Sequence, residues 1–394
     1  ADILAEVQSG GWDAVCRAAE RIDGAAPQRL EVATLAAAAR RDLPAEAVAA
    51  MELAARNIRA FHQASRPADT KVETMPGLVV EKCWRPLDRA GLYVPGGATP
   101  LFSTLLMLAL PAQAAGVEEL VVVTPPTPSG LAPTIALAAE LCGIEAIWTI
   151  GGAQAIAALA FGAGNIPACP LICGPGNAWV AEAKLQASAL PGGPAIDMPA
   201  GPSELMVIAE GTADPARVAA DLLSQAEHDA SAQVLLVTTD EALAASTRQE
   251  LARQLATLPR RDLAEQALEH GHMLIAADLA EAAAIANLYA PEHLCLAVED
   301  SEALIPRIRN AGAIFAGHAA AETFGDYLAG SSHVLPTDGA ARAWSGITTT
   351  TFMKAVSVQR VSPEAAKALA APAAALARLE SLEAHARAAE ARAA

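Results

Sequence analysis

From Gly91 to Phe315 short aliphatic runs alternate with helical stretches, and no other feature of the chain restricts its fold as strongly. The runs are Gly91-Leu92-Tyr93-Val94, Leu120-Val121-Val122-Val123-Thr124, Ala146-Ile147-Trp148-Thr149-Ile150 and Leu171-Ile172-Cys173, followed by others at 205–208, 234–237, 273–275, 294–296 and 313–315. Short apolar runs of this kind suit strands buried on both faces. The stretches between them, such as 103–115 and 133–142, are long enough to be the crossover helices that parallel strands require.

The expectation is an α/β fold with two Rossmann-like parallel-sheet domains, at 91–200 and 201–340, and helical appendages at 1–90 and 341–394. Hydrophobic residues make up 53% of the chain and aromatics only 4%, so Ala, Leu, Val and Ile must fill the interior by close backbone approach. In the first appendage, Val48, Met51, Ala55 and Ile58 form one helical stripe and residues 1–64 read as helical throughout. In the second, Ser362-Pro363-Glu364 carries an N-cap, a proline at the first helical position and an early acid.

A net charge of -17 and a pI near 4.9 disfavour nucleic acid and anionic membranes as partners. Six cysteines form no Cys-x-x-Cys pair and read as small buried hydrophobes of a reducing compartment. No secretory signal is recognised at the start, and the expected location is the cytoplasm.

The glycine turns Gly96-Gly97, Gly151-Gly152 and Gly174-Pro175-Gly176 follow expected strands, where open α/β sheets bind ligands, yet none matches a Gly-x-Gly-x-x-Gly or P-loop pattern. Gln154 and Asn177 could donate to a phosphate or ribose there, and a purely structural tight turn explains the same glycines equally well. Gln225 and His228, three apart on an expected helix, share a face and can converge on one atom. With Asp326 and His333 they offer the nitrogen and oxygen ligands of a zinc site open to substrate. Glu292 and His293, directly after Pro291, suit proton transfer near neutral pH. By spacing alone, Glu380 and His385 read as solvent-exposed.

These motifs together resemble the histidinol dehydrogenase family, zinc- and NAD-dependent enzymes of histidine biosynthesis. The resemblance runs through 91–97, 151–159, Gly174-Pro175-Gly176-Asn177, 196–204, Ser224-Gln225-Ala226-Glu227-His228, Ala290-Pro291-Glu292-His293-Leu294, Gly325-Asp326-Tyr327 and His333-Val334-Leu335-Pro336-Thr337. It implies zinc ligands at Gln225, His228, Asp326 and His385, with these four also touching substrate. It implies acid–base roles for Glu292 and His293, substrate contacts from Ser203, His333, Tyr327 and Glu380, and NAD contacts from Tyr93, Gln154 and Asn177. It further implies a homodimer in which one subunit's tail completes the other's site. The activity implied is oxidation of L-histidinol to L-histidine, the alternative being another small alcohol such as a sulfonated propanediol. The chain departs from the family pattern at Ser332, where Asn is usual, and at Ala320-Ala321-Glu322, where Thr-Pro-Glu is common.

Overall fold

The computed structural model describes residues 2–96, 100–198 and 201–393; Gly97, Pro199 and Ala200 of the motifs above lie outside the described residues. Its strands are, in chain order, β1 Gln28–Glu31, β2 Thr70–Met75, β3 Leu78–Pro86, β4 Arg89–Tyr93, β5 Glu119–Thr124, β6 Ala146–Thr149, β7 Leu171–Cys173, β8 Ala195–Ile196, β9 Glu204–Ala209, β10 Gln233–Thr238, β11 His272–Ile275, β12 His293–Ala297, β13 Ala313–Ala316 and β14 Met353–Val361. They are distributed over two compact units, Ala1–Ser65 with Asp88–Phe352, and Arg66–Leu87 with Met353–Ala394.

The larger unit holds two sheets. The first has the order β1-β6-β5-β4-β7-β8, parallel except for the antiparallel edge strand β1, and the second has the order β11-β10-β9-β12-β13, parallel throughout. Both reverse direction in the middle. Successive strands run outward from β4 to β6 and then restart at β7 on its other side; β9 and β12 repeat the device. Such a reversal opens a crevice between the two central strands.

The helices cover both faces as the apolar runs require. Around the first sheet Ala155, Ile156, Ala157, Ala158 and Leu159 pack with Val121, Val123 and Ile172, all buried. Small side chains bring the backbones close, which is how a core with few aromatics reaches interior density. The helix Pro215–Ala226 begins at Asp214, whose Oδ1 accepts from the Ala216 N–H at 2.9 Å, with proline at its first position. It buries Val218, Leu222 and Leu223 against the second sheet, each side chain contributing about 1.5–3 kcal/mol.

Three local expectations are corrected. Gln28–Glu31, inside a stretch read as helical, is a short strand paired with β6; mostly exposed, it carries no buried period to betray it. From the sequence, Arg85-Pro86 is expected to break the β-type run that starts at Leu78-Val79-Val80, yet β3 continues to Pro86, because proline occupies its last position, beyond the reach of β2. The helix bearing Gln225 ends at Ala226, so His228 lies past its C-cap Glu227. The His228 N–H still donates to the Gln225 carbonyl at 3.1 Å, and that tight last turn preserves a helix-like three-residue spacing.

The smaller unit is a three-stranded antiparallel sheet, β14-β3-β2, followed by the helices Pro363–Leu379 and Glu383–Glu390. The tail segment thus begins with a strand before becoming helical. Ser362 caps the first of these helices, accepting from the Ala365 N–H at 3.2 Å.

Candidate active site

A cavity of 180 Å³ in the larger unit is lined by Ser203, Gln225, His228, Glu292, His293, Asp326, Tyr327 and His333, all residues singled out above. The second sheet supplies its catalytic candidates from the amino ends of β9 and β12, opposite to the usual carboxyl-end placement. A sharp reversal makes this possible. The helix Leu279–Tyr289 ends at Ala290, a fully buried residue at φ 60°, ψ 62°, and Pro291 then redirects the chain so that Glu292 and His293 lead into β12. For an alanine this left-handed conformation costs about 1–2 kcal/mol.

His293 is the hub. Its Nδ1 lies 3.1 Å from the Glu204 carbonyl oxygen, which can only accept, so Nδ1 keeps its proton in either charge state. The proton that comes and goes is therefore on Nε2, which has no hydrogen-bond partner and lies 3.5 Å from Asp326 Oδ1. Glu292 Oε2 and Glu322 Oε1 stand 3.6 Å and 3.7 Å from Nδ1, and the Phe315 ring stacks on the imidazole at 5.9 Å. Burial pulls the imidazole down, but Asp326, Glu292 and Glu322 outweigh it and push it above its ordinary value.

The carboxylates are fixed by the backbone. Glu292 Oε2 accepts from the Glu204 N–H at 2.9 Å, while Glu204 Oε2 faces the Glu292 N–H at 3.4 Å and Glu204 Oε1 accepts from Asp338 N–H at 2.9 Å. Glu322 accepts from the Ser224 hydroxyl at 3.2 Å. Burial raises Glu292 to about 7 and Glu322 to about 8. Asp326 stays below its usual value because the contact with His293 overcomes burial. One imidazole and carboxyls of unequal acidity in one cavity are the requirement for sequential proton transfers.

His333 is oriented from both ring nitrogens: Nδ1 donates to the Asp326 carbonyl at 3.2 Å, leaving Nε2 to accept from the Thr104 hydroxyl at 3.1 Å. Gln225 is 1% exposed, and neither its Oε1 nor its Nε2 has a partner. A fully buried amide with no hydrogen bond is costly, and with the unpartnered Asp326 Oδ1 it forms a set of donor atoms whose chemistry suits a cation. His228, an exposed residue, lines the same cavity. By distance alone His293, Glu322 and Asp326 also form a group able to hold a metal.

Tyr93, Gln154 and Asn177 lie outside this cavity, at the carboxyl ends of the first sheet. The Tyr93 hydroxyl accepts from the Gly152 N–H at 3.3 Å, and Gln154 Nε2 donates to Asp23 Oδ2 at 3.0 Å, leaving its buried Oε1 unpartnered. Asn177 caps the helix Ala178–Ser188 through Oδ1, to the Trp179 and Val180 N–H groups. Near them a second cavity, of 430 Å³, opens over the carboxyl ends of β5 and β6, lined in part by Gly96, Thr124 and Thr149. Glu380 and His385 belong to the smaller unit, where both are exposed.

The sequence profile of the histidinol dehydrogenase family matches residues 1–393. The chain belongs to the histidinol dehydrogenase family. It is 48% identical over 389 residues to a histidinol dehydrogenase of Xylella fastidiosa, covering 98% of this chain and 90% of that one. The crystal structure of histidinol dehydrogenase from Elizabethkingia anophelis superposes with a TM-score of 0.96 at 40% identity, covering 99% of this chain and 90% of that one. A putative aldehyde dehydrogenase from Burkholderia cenocepacia, at 16% identity and TM-score 0.55 over 91% of both chains, shares the fold alone.

Two residues of the cluster escaped the reading of the sequence, Glu204 and Glu322. Glu322 had a signal: it stands four residues before Asp326 on the helix Glu322–Tyr327, a spacing that puts both carboxylates on one face. Glu204 had only its place beside Ser203, since its partner Glu292 is remote in sequence.

Proposed function

We propose that the chain carries out the histidinol dehydrogenase reaction, the NAD-dependent four-electron oxidation of L-histidinol to L-histidine through bound L-histidinal. The observation that carries the residue assignment is the convergence of Gln225, His228, Asp326, Glu292 and His293 on one cavity, with the Gln225 amide, Asp326 Oδ1 and His293 Nε2 buried and unpartnered. Gln225, His228 and Asp326, joined by His385, would hold zinc, and Tyr93, Gln154 and Asn177 would meet NAD. When bound, zinc supplies a template for the substrate's imidazole and amino nitrogens, and NAD supplies the hydride acceptor.

The remaining chemistry belongs to this chain's side chains. In its unprotonated form, the fraction of which the surrounding carboxylates limit at neutral pH, His293 takes the hydroxyl proton of the alcohol at Nε2 while Nδ1 stays anchored on the Glu204 carbonyl. Glu292, held near neutrality by burial, then accepts a proton from the water that attacks the aldehyde carbon. As the water adds, His293 returns its first proton to the former carbonyl oxygen, and the freed Nε2 then removes a hydroxyl proton of the hydrate as the second hydride leaves for NAD. Ser203, Tyr327 and His333 line the cavity around the substrate, His333 with its ring fixed by Asp326 and Thr104.

Glu380 and His385 are assigned to the neighbouring subunit's site in a homodimer. Their exposure, and that of Leu376 and Leu379 at 65% and 82% on the same tail, supports that assignment. The cytoplasm is the compartment in which free cysteines and soluble biosynthetic chemistry fit; among the described residues no helix is long and apolar enough to cross a membrane. The test is NADH absorbance with zinc present, histidinol against a sulfonated propanediol. Turnover of histidinol with two NADH per histidine formed is expected, and preference for the sulfonated alcohol would overturn the substrate assignment.

A further inference from the structure

Outside the histidine–carboxylate cluster, one pair of charges is buried without an evident task. Lys184 and Asp197 are 3% and 7% exposed, and their side chains meet at 2.5 Å. Both also bind the same peptide unit. Asp197 Oδ2 accepts from the Gly174 N–H at 2.7 Å, and Lys184 Nζ donates to the Gly174 carbonyl at 2.9 Å. Gly174 is the first residue after β7 and adopts φ 125°, and a Cβ on it would fall 2.0 Å from the Tyr93 carbonyl oxygen at the end of β4. The clamped residue therefore sits where the first sheet changes direction, between the two strand ends that bound its crevice.

A buried ion pair is a poor device for raw stability, because well-packed apolar residues of similar volume usually stabilise as much or more. It is a good device for fixing a backbone that has no ladder partners. Here it satisfies both polar groups of a left-handed glycine at the entrance to the Gly174-Pro175-Gly176-Asn177 turn. Lys184 stands on the helix that this turn opens, and Asp197 follows β8, so the pair ties both flanks to the turn. Pro175, Lys184 and Asp197 also line the 180 Å³ cavity, contributed from the first sheet's side of the chain while His293 comes from β12 of the second.

We infer that Lys184 and Asp197 are positioning residues for the cofactor, their ion pair holding Gly174 so that the Gly174–Asn177 turn keeps the shape that receives a dinucleotide. The inference rests on the assignment of NAD to Asn177 and Tyr93. Neither side chain takes part in the proton transfers; each acts through the turn.

The test is the double variant Lys184→Met/Asp197→Leu beside the single variants Lys184→Met and Asp197→Asn, in the zinc-loaded full-length protein. NAD affinity is measured by titration calorimetry, steady-state KM and kcat by NADH absorbance, and thermal stability alongside. The expected result is a double variant with thermal stability at or above that of the singles, yet with NAD KM raised by about tenfold or more. Because both residues also line the substrate cavity, the diagnostic is the split: kcat/KM for NAD should fall by a clearly larger factor than kcat at saturating NAD or kcat/KM for histidinol. A double variant that regains stability and also binds NAD like the parent would overturn the inference. Should the apolar pair fail to fold, Asp197→Asn decides: it keeps an acceptor for the Gly174 N–H while removing the charge, and unchanged NAD affinity there would equally overturn it. Failure of the parent to reduce NAD with histidinol would instead refute the functional reading.

Discussion

Replacing Glu292 by glutamine separates the two oxidations. The change is nearly isosteric at a residue that is 5% exposed, and the amide oxygen can still accept from the Glu204 N–H, so the fold should be retained. What disappears is the carboxylate proposed as the base that activates water. General-base assistance is worth about 10²–10⁴-fold, so oxidation of supplied histidinal should fall by that factor, roughly 3–5 kcal/mol of barrier. Formation of the aldehyde from histidinol relies on His293 and should fall far less, about tenfold at most, through the lost pull of Glu292 on the imidazole. The parent also carries a pH signature: with Glu292 at about 7, histidinal oxidation should rise as the pH passes that value and level off above it. Glu292→Gln should lack that step. Single-turnover NADH formation from each substrate, followed across pH, measures all of this. Equal losses in both oxidations, or an unchanged pH step, would refute the division of roles.

Other outcomes follow from the packing. His62 is fully buried with Nε2 unpartnered, and burial depresses it from 6.5 to about 4. Because the folded value lies below the unfolded one, its contribution is intact above pH 6.5 and is lost as the pH falls through about 4, amounting to up to about 3 kcal/mol. Urea denaturation of His62→Asn against the parent should show a stability difference that varies over that window, and a constant difference would count against it. Gly325→Ala should impair activity without abolishing folding, since its Cβ would meet the Phe315 ring at 2.3 Å, displacing either the ring stacked on His293 or the neighbouring Asp326. Ala290→Val should lower thermal stability, because a β-branched residue tolerates φ 60° less well than alanine, whereas Ala290→Gly should be tolerated.

The parallel sheets were legible because each strand is buried on both faces and so spells itself as a local aliphatic run, as Leu205 to Ile208 do at 0% exposure. β1 was not, being an exposed strand of four residues that exists only through its pairing with β6. Nor was the pairing of β14 with β3, since a partner separated in sequence by residues 88–352 leaves no trace in either segment. The site divides in the same way. Glu292, His293 and the Gln225/His228 spacing stand out as chemistry-bearing types within short motifs. Glu204 and the Lys184–Asp197 pair acquire meaning only from contacts across many residues, to Glu292 and to Gly174.

The most direct test is where zinc binds. Anomalous diffraction at the zinc edge, on crystals of the metal-loaded protein, should locate the ion about 2.0–2.2 Å from side-chain atoms of Gln225, His228 and Asp326, with an imidazole from His385 completing the set. Density instead on the His293, Glu322 and Asp326 group, or no ion near Gln225, would contradict the account and remove the template on which the roles of Glu292 and His293 depend.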